Sequence, residues 1–319
     1  MRAVVTGTAG FIGAALTRAL LRKGDEVIGI DCFLDSYPRE VKKDRLVDLL
    51  PQPRFRFVEA DLLNLSLNQL LNGVDCVFHL AAQAGVRRSW GGQFGVYTQC
   101  NILATQKLLE AAKETPSLSR FIYASSSSVY GDTATLPTPE DSPLCPLSPY
   151  AVSKLAGEHL CHLYQKSYGV PTVVLRYFTV YGPQPRPDQA VCLFTRALLS
   201  DQEIQIFGDG EQLRGMTYVD DVVEANLLAA ETSCVGEIFN IGGGTSITVN
   251  ELITHLEHLT GKTGKVRRVD PARGDARHTL ADIRMASRLL AWMPQMATEA
   301  GLARTVASIR DFYFPAGMA

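Results

Sequence analysis

Residues 6–13 read Thr6-Gly7-Thr8-Ala9-Gly10-Phe11-Ile12-Gly13. They follow a short β-branched run, Ala3–Thr6, and open a stretch, Phe11–Lys23, whose apolar spacing predicts a helix. Each glycine has a physical task in such a turn. Gly7 allows the tight strand-to-helix reversal, Gly10 lets the backbone approach a pyrophosphate, and Gly13 lets helix and strand pack closely. The helix N-terminus then offers unpaired N–H groups and a positive dipole end to phosphates. Asp31 ends the second β-branched run, 21 residues after Gly10. A carboxylate there can hydrogen-bond a ribose 2′-OH and repels a 2′-phosphate, which favours NAD over NADP.

Outward from this turn, the first 180 residues alternate strand-like and helix-like stretches. The strand-like runs are Ala3–Thr6, Glu26–Ile30, Phe55–Glu59, Cys76–Leu80, Arg120–Ser125 and Thr172–Arg176. Several are apolar almost throughout, as strands covered on both faces require. Helices are expected over Phe11–Lys23, Gln99–Lys113 and Tyr150–Tyr168, and the segment Gln52–Asn72 holds a strand and a short helix. The pattern predicts an α/β fold, a Rossmann-type doubly wound parallel sheet. After Gly182, the prolines 183, 185 and 187 mark an exit from that sheet. A smaller C-terminal α/β substrate domain is expected there. Its elements are a helix over Ala190–Leu199, a strand over Ile204–Phe207, the turn Gly208-Asp209-Gly210, and helices over Asn250–Leu259 and Glu299–Tyr313. The segment of about 217–242, with a helix over Val219–Thr232 and a strand over Glu237–Ile241, is expected to return to the first sheet. The expected division is thus 1–180 plus about 217–242 for NAD, and 181–216 plus 243–319 for the substrate.

Composition narrows the function. Of 319 residues, 46% are hydrophobic and 20% charged, ordinary values for a globular chain. The net charge of −2 lacks the basic excess that a polyphosphate partner requires, so nucleic-acid binding is not expected. No apolar stretch reaches the roughly 20 residues of a membrane span. The fifteen uncharged residues between Arg2 and Arg18 resemble a signal-peptide core, but their glycine spacing serves a phosphate turn instead. Seven scattered cysteines without a CxxC pattern read as reduced thiols, and a soluble cytoplasmic protein is expected. The spaced pairs His159/His162 and His255/His258 lack a thiol or carboxylate partner at ligand spacing, so no metal is expected.

A second cluster carries chemistry. Tyr150-Ala151-Val152-Ser153-Lys154 puts Tyr150 and Lys154 four apart on one helix face. A tyrosine near its reference pKa of about 10 is a poor base at neutral pH, and a neighbouring ammonium favours the phenolate. The run Ser125-Ser126-Ser127-Ser128-Val129-Tyr130-Gly131 ends the fifth strand, at the sheet edge where ligands sit in open parallel folds.

With these residues in view, the chain resembles the extended short-chain dehydrogenase/reductases, in particular the nucleotide-sugar 4-epimerases. The likeness rests on residues 6–13, Asp61-Leu62, residues 79–87 (HLAAQAGVR), 125–131, 149–154 (PYAVSK), 176–183 (RYFTVYGP) and 208–221 (GDGEQLRGMTYVDD), and covers essentially the whole chain. The resemblance implies that NAD lies against Gly7, Gly10, Phe11, Ile12, Gly13, Asp31, Asp61, Leu62, Leu80, Ala81, Ala82, Tyr150, Lys154 and Tyr177. It makes Tyr150 the general base for a sugar 4-OH. Lys154 would hold the nicotinamide ribose and depress the phenol pKa, and Ser126 would relay the proton. Arg214 would face a UDP pyrophosphate and Asp275 the uridine ribose.

Within the family, sugar 4,6-dehydratases carry an Asp-Glu pair before the Val-Tyr-Gly and UDP-glucuronate decarboxylases a Glu. Here Ser127-Ser128 stand instead. Residues 82–87, 176–183 and Arg186-Pro187-Asp188 look most like UDP-glucuronate 4-epimerases, which make UDP-galacturonate. Hydroxyls of Ser127, Ser128 and Thr179 could hydrogen-bond a glucuronate carboxylate, and Arg87 and Arg186 could add positive charge. Solvated loop charges are the competing reading for the two arginines, and a plain turn for the two serines. The alternatives are a UDP-glucose or UDP-GlcNAc 4-epimerase, a UDP-glucuronate decarboxylase, and a non-catalytic NAD-sensing scaffold, which would typically lack Tyr150 or Lys154. Where the family has Arg-Asp-Phe, this chain has Arg214-Gly215-Met216, which is expected to loosen Arg214. The resemblance also implies a homodimer through helices Gln99–Lys113 and Tyr150–Tyr168.

Overall fold

The computed structural model describes residues 1–315. Seven parallel strands form the main sheet: β1 (Arg2–Thr6), β2 (Glu26–Asp31), β3 (Phe55–Glu59), β4 (Cys76–His79), β5 (Arg120–Ser126), β6 (Thr172–Tyr177) and, returning from later in the chain, Ile238–Ile241. Between β6 and that return come β7 (Thr179–Tyr181), β8 (Glu203–Phe207) and β9 (Leu213–Tyr218), so the returning strand is β10. The order β10-β6-β5-β4-β1-β2-β3 is doubly wound, and the chain reverses direction between β1 and β4. A crevice opens at such a reversal, beyond the carboxyl ends of the strands.

Alternation along each strand sends side chains to two cores. Ala3 and Val5 pack on one face with α1 (Phe11–Arg22), while Val4 packs on the other. Three short helices follow: α2 (Arg39–Asp44), α3 (Leu67–Leu70) and α4 (Phe94–Tyr97). Then come α5 (Ala104–Lys113) and α6 (Pro149–Tyr168), whose Leu108, Leu109 and Cys161 fill the second core. Beyond them lie α7 (Ala190–Leu199) and α8 (Val219–Glu231), which covers the first face beside α1. Local signals set the boundaries of α6. Ser148 accepts a hydrogen bond from the Ala151 N–H, Pro149 opens the helix, and Gly169 ends it in the left-handed region at φ +71°.

The later chain adds β11 (Thr245–Thr248), α9 (Val249–Thr260), β12 (Lys265–Val269), β13 (His278–Thr279), α10 (Arg284–Leu290) and α11 (Thr298–Tyr313). Strands β7, β11 and β13 all pair with β9, and β12 pairs with β8.

One expected helix is corrected. Gln99–Lys113 does not run as a uniform α-helix: the helical path starts at α4, passes a wide π turn over Thr98–Leu103, and only then becomes α5. The wide turn carries buried Asn101 inward. Its amide donates to the Gln83 carbonyl (3.0 Å) and the Ser153 hydroxyl (2.8 Å) and accepts from the Gln83 N–H (2.8 Å). Three hydrogen bonds inside the core compensate the irregular backbone.

Candidate active site

At the reversal point the loops after β1 and β4 touch. Gly7 has φ +72°, and a Cβ on it would stand 2.8 Å from the Ala81 nitrogen. On Gly13 a Cβ would stand 2.1 Å from the Gly7 carbonyl oxygen, so strand, turn and helix meet at a distance only glycine permits. Helix α1 has no side-chain cap and no acidic residue in its first turn, so its leading N–H groups face the cleft without a protein partner.

The cleft measures ≈ 300 Å³. Every one of the fourteen residues expected around NAD lines it, from Gly7 through Asp61 and Leu62 to Tyr177. Asp31 accepts from the Ala9 N–H (3.1 Å) and the Phe33 N–H (2.8 Å) and makes no ion pair among the described residues. Burial pushes its carboxyl above the usual range, while those N–H groups and the charge of Lys42 pull it down. Asp61 caps a short turn by accepting from the Leu63 N–H at 2.9 Å.

Lys154 is buried, and its ammonium lies 4.8 Å from the centre of the Tyr123 ring. Burial lowers its pKa to about 8 against the raising charge of Glu158. No hydrogen bond from this ammonium closes within the described residues, so its donors are available to a ligand in the cleft. Below it, Glu158 is gripped by Arg176 through Nε (2.9 Å) and Nη2 (2.7 Å) and accepts from the Ser125 hydroxyl. Beside it, His79 bonds Thr6 and Thr105, and burial drops its pKa to about 3, leaving a neutral ring.

Tyr150 lines the same cleft, with Ser126 and Arg186. Burial raises its pKa, while Ser126 and the charge of Arg186 lower it. The Ser126 hydroxyl donates to Ser128 Oγ (3.1 Å), and Ser126 Oγ accepts from the Ser128 N–H (3.2 Å). Ser127 and Ser128 belong to the short turn that follows β5, and exposed Thr179 opens β7.

Of the expected substrate residues, Ser126 and Arg186 line this cleft. Arg87, Arg214 and Asp275 gather in a separate cluster. Arg87 donates to Asp275 at 2.7 Å and stacks on Phe207 at 3.9 Å. Arg214, whose charge is favoured by the Asp275 carboxylate, donates to the carbonyls of Leu213 (2.9 Å) and Arg277 (3.2 Å). Backbone carbonyls therefore hold Arg214 without the missing aspartate, and Gly215 leaves room for the Thr279 carbonyl, 3.1 Å from where its Cβ would stand. Several cleft residues escaped the sequence reading: Tyr37 and Lys42 around α2, Arg88, and Cys100 in the π turn. Only the charge run around α2 hinted at any of them.

The glycine cradle, the uncapped helix end, the unpaired Asp31 and the free lysine ammonium all fit NAD. Together the fold and the cleft define a nicotinamide-dependent α/β enzyme. The NAD dependent epimerase/dehydratase family model matches residues 3–242, and the chain belongs to that family. It is similar to the crystal structure of a UDP-glucuronic acid 4-epimerase from Bacillus cereus in complex with UDP-glucuronic acid and NAD. The two share 43% identity over 98% of this chain and 100% of that one, with a TM-score of 0.96. A UDP-glucuronate 4-epimerase from Thermodesulfobacterium geofontis is 39% identical over 95% of this chain and 94% of its own. An uncharacterised UDP-glucose epimerase from Bacillus subtilis (strain 168) is 42% identical over 98% and 99%.

Proposed function

We propose that the protein interconverts UDP-glucuronate and UDP-galacturonate. The observation that carries this reading is the gathering in one cleft of Tyr150, Lys154, Ser126 and Arg186 with the glycine turn after β1. The likeness to glucuronate epimerases supports the acid over the neutral sugar.

Held in the cradle, NAD would supply a hydride acceptor for the sugar's fourth carbon and, once the 4-keto sugar has turned over, a hydride donor toward its other face. Tyr150 takes the 4-OH proton as hydride leaves and gives it back on return. Ser126 passes that proton between sugar oxygen and phenol, with Ser128 as its hydrogen-bond partner. Lys154 holds a ribose hydroxyl and adds positive charge at the reacting end. Asp31 binds the adenosine ribose, with Asp61 nearer the base. Arg214 faces the pyrophosphate, Asp275 the uridine ribose, and Arg87 the diphosphate end beside them.

The 4-keto sugar formed on the way is a β-keto acid, prone to lose CO₂. Neutral donors from Ser127, Ser128 and Thr179, with Arg186 nearby, stabilise the carboxylate over neutral CO₂ and so resist decarboxylation. No acid–base side chain stands at Ser127-Ser128 to serve a dehydratase or decarboxylase.

The division into 1–180 plus about 217–242 for NAD, and 181–216 plus 243–319 for the nucleotide sugar, belongs to the same proposal. So does a homodimer through the faces of α5 and α6 and the turn before α5, where Leu103, Leu163 and Tyr168 are exposed. No described helix is long and apolar enough to cross a membrane, and the seven cysteines are free, which supports a cytoplasmic enzyme. Incubation with UDP-glucuronate, followed by proton NMR, tests the reaction. Appearance of UDP-galacturonate with the carboxylate intact is expected. CO₂ release, or turnover of UDP-glucose alone, would replace this reading.

A further inference from the structure

Arg45 follows α2 and is 1% exposed. Its guanidinium has no carboxylate within 4 Å among the described residues, unlike Arg176, which grips Glu158. Burying such a charge on neutral acceptors alone is costly. What Arg45 does instead is join three separate segments. Its Nη1 donates to the Ala9 carbonyl in the glycine turn (3.2 Å) and to the Tyr37 hydroxyl (2.7 Å). Its Nε donates to the Gln184 carbonyl (3.1 Å) and its Nη2 to the Pro185 carbonyl (3.0 Å).

The far segment is strained. Gln184 has φ +54°, a region that a side-chain-bearing residue keeps only when its surroundings hold it there. They do: besides Arg45, the Gln184 N–H donates to Ser308 Oγ (2.9 Å) and its amide to Asp44 (3.1 Å). The next residue but one is Arg186, which lines the cleft together with Tyr150 and pairs with Asp188 at 3.0 Å. The near segments belong to the cofactor end, since Gly10, Tyr37 and Lys42 line the same cleft.

We propose that Arg45 is a positioning residue that couples occupancy of the cofactor end to the placement of the loop carrying Arg186. It rests on the reading above, in which this cleft takes NAD and a UDP-sugar. A ligand that orders the glycine turn and the segment 33–45 also orders the Gln184 and Pro185 carbonyls through one guanidinium. Contact of the sugar with Arg186 is felt at the cofactor end by the same route, because binding couplings are reciprocal. Lysine cannot substitute, because a single ammonium lacks the planar fork that reaches all three segments.

Equilibrium dialysis of the holoenzyme against graded NAD, with and without saturating UDP-glucuronate, reads the coupling without turnover. A parallel arm uses UDP-glucose. For the wild type, sugar nucleotide is expected to lower the NAD dissociation constant about fivefold or more, the lower end of usual couplings. Arg45→Lys should still bind NAD, yet show a shift below about twofold, and should raise KM more than it lowers kcat. Combined with Arg186→Ala, it should add little to the single Arg186→Ala loss. A wild-type shift retained in Arg45→Lys, or no shift in the wild type with either sugar nucleotide, overturns the proposal. A shift produced by UDP-glucose alone supports the coupling and counts against the glucuronate reading. Should Arg45→Lys fail to fold, hydrogen exchange on the wild type decides: sugar nucleotide must slow exchange of amides 39–45, and unchanged exchange there refutes it.

Discussion

The two ends of the proposed site, the glycine-lined cleft and the separate cluster of Arg87, Arg214 and Asp275, are built from different materials. The cofactor end is made largely of backbone: a glycine turn held against β4, an uncapped helix end, and an aspartate fixed by two N–H groups. The proposed substrate end is made of long charged side chains from separate parts of the chain, held by one another and by backbone carbonyls. Arg87 pairs with Asp275 and Arg214 leans on carbonyls. Backbone cradles are preorganised and tolerate no added atom; paired side chains must exchange partners when an anion arrives, and tolerate change better.

The largest break in this contrast is at Tyr150, in the cleft. Tyr150→Phe should cut epimerisation about 10³-fold, in the range of a lost general base, while the NAD content of the purified protein stays within about twofold. Loss of NAD together with activity would mean the phenol serves the cradle instead. Next comes Gly13→Ala, whose Cβ would stand 2.1 Å from the Gly7 oxygen. It should lower stability by about 1–3 kcal/mol in denaturant titration and leave little bound NAD. Asp31→Asn removes the carboxylate acceptor while keeping its shape, and should weaken NAD about tenfold and admit NADP, read by direct binding of each.

A subtler test concerns Lys154, whose pKa is lowered to about 8 from 10.5 by burial. In the unfolded chain the lysine stays protonated to higher pH, so between these values the unfolded state binds more protons. This group's contribution to stability therefore rises as pH climbs through that window. In NAD-free protein, the stability of Lys154→Met relative to wild type should be higher near pH 7 than near pH 10. Equal margins at both would place the ammonium in water. The smallest effect is expected at the substrate end. Gly215→Ala, with 3.1 Å to the Thr279 oxygen, should cost under about 1 kcal/mol and leave NAD binding intact. A loss as large as that of Gly13→Ala would erase the distinction between the two ends.

The main sheet was readable because it obeys period and punctuation. Six strand runs and the returning Glu237–Ile241 were recognised to within about two residues. Less readable were α2, a six-residue charged stretch, and β12, whose Lys265, Val266, Arg267 and Arg268 are all exposed. Neither shows an apolar face, so neither carries a period. Strand β9 was hidden as well, since Leu213–Tyr218 is held by pairing with three other strands rather than by its own pattern. The π turn at Thr98–Leu103 was unreadable for a related reason, as its cause is a buried amide bonding across to Gln83 and Ser153.

By itself, the order of residues determined the strand–glycine–helix turn, the carboxylate that closes β2 and the Tyr150–Lys154 pair, because these depend on spacing along one short piece of chain. Only the tertiary structure decided where the Lys154 ammonium rests, that carbonyls rather than an aspartate steady Arg214, and that Arg45 ties the glycine turn to Gln184 and Pro185. Those outcomes turn on which groups from far along the chain arrive within a hydrogen bond's length, and on the cost of burying a charge that finds no such partner.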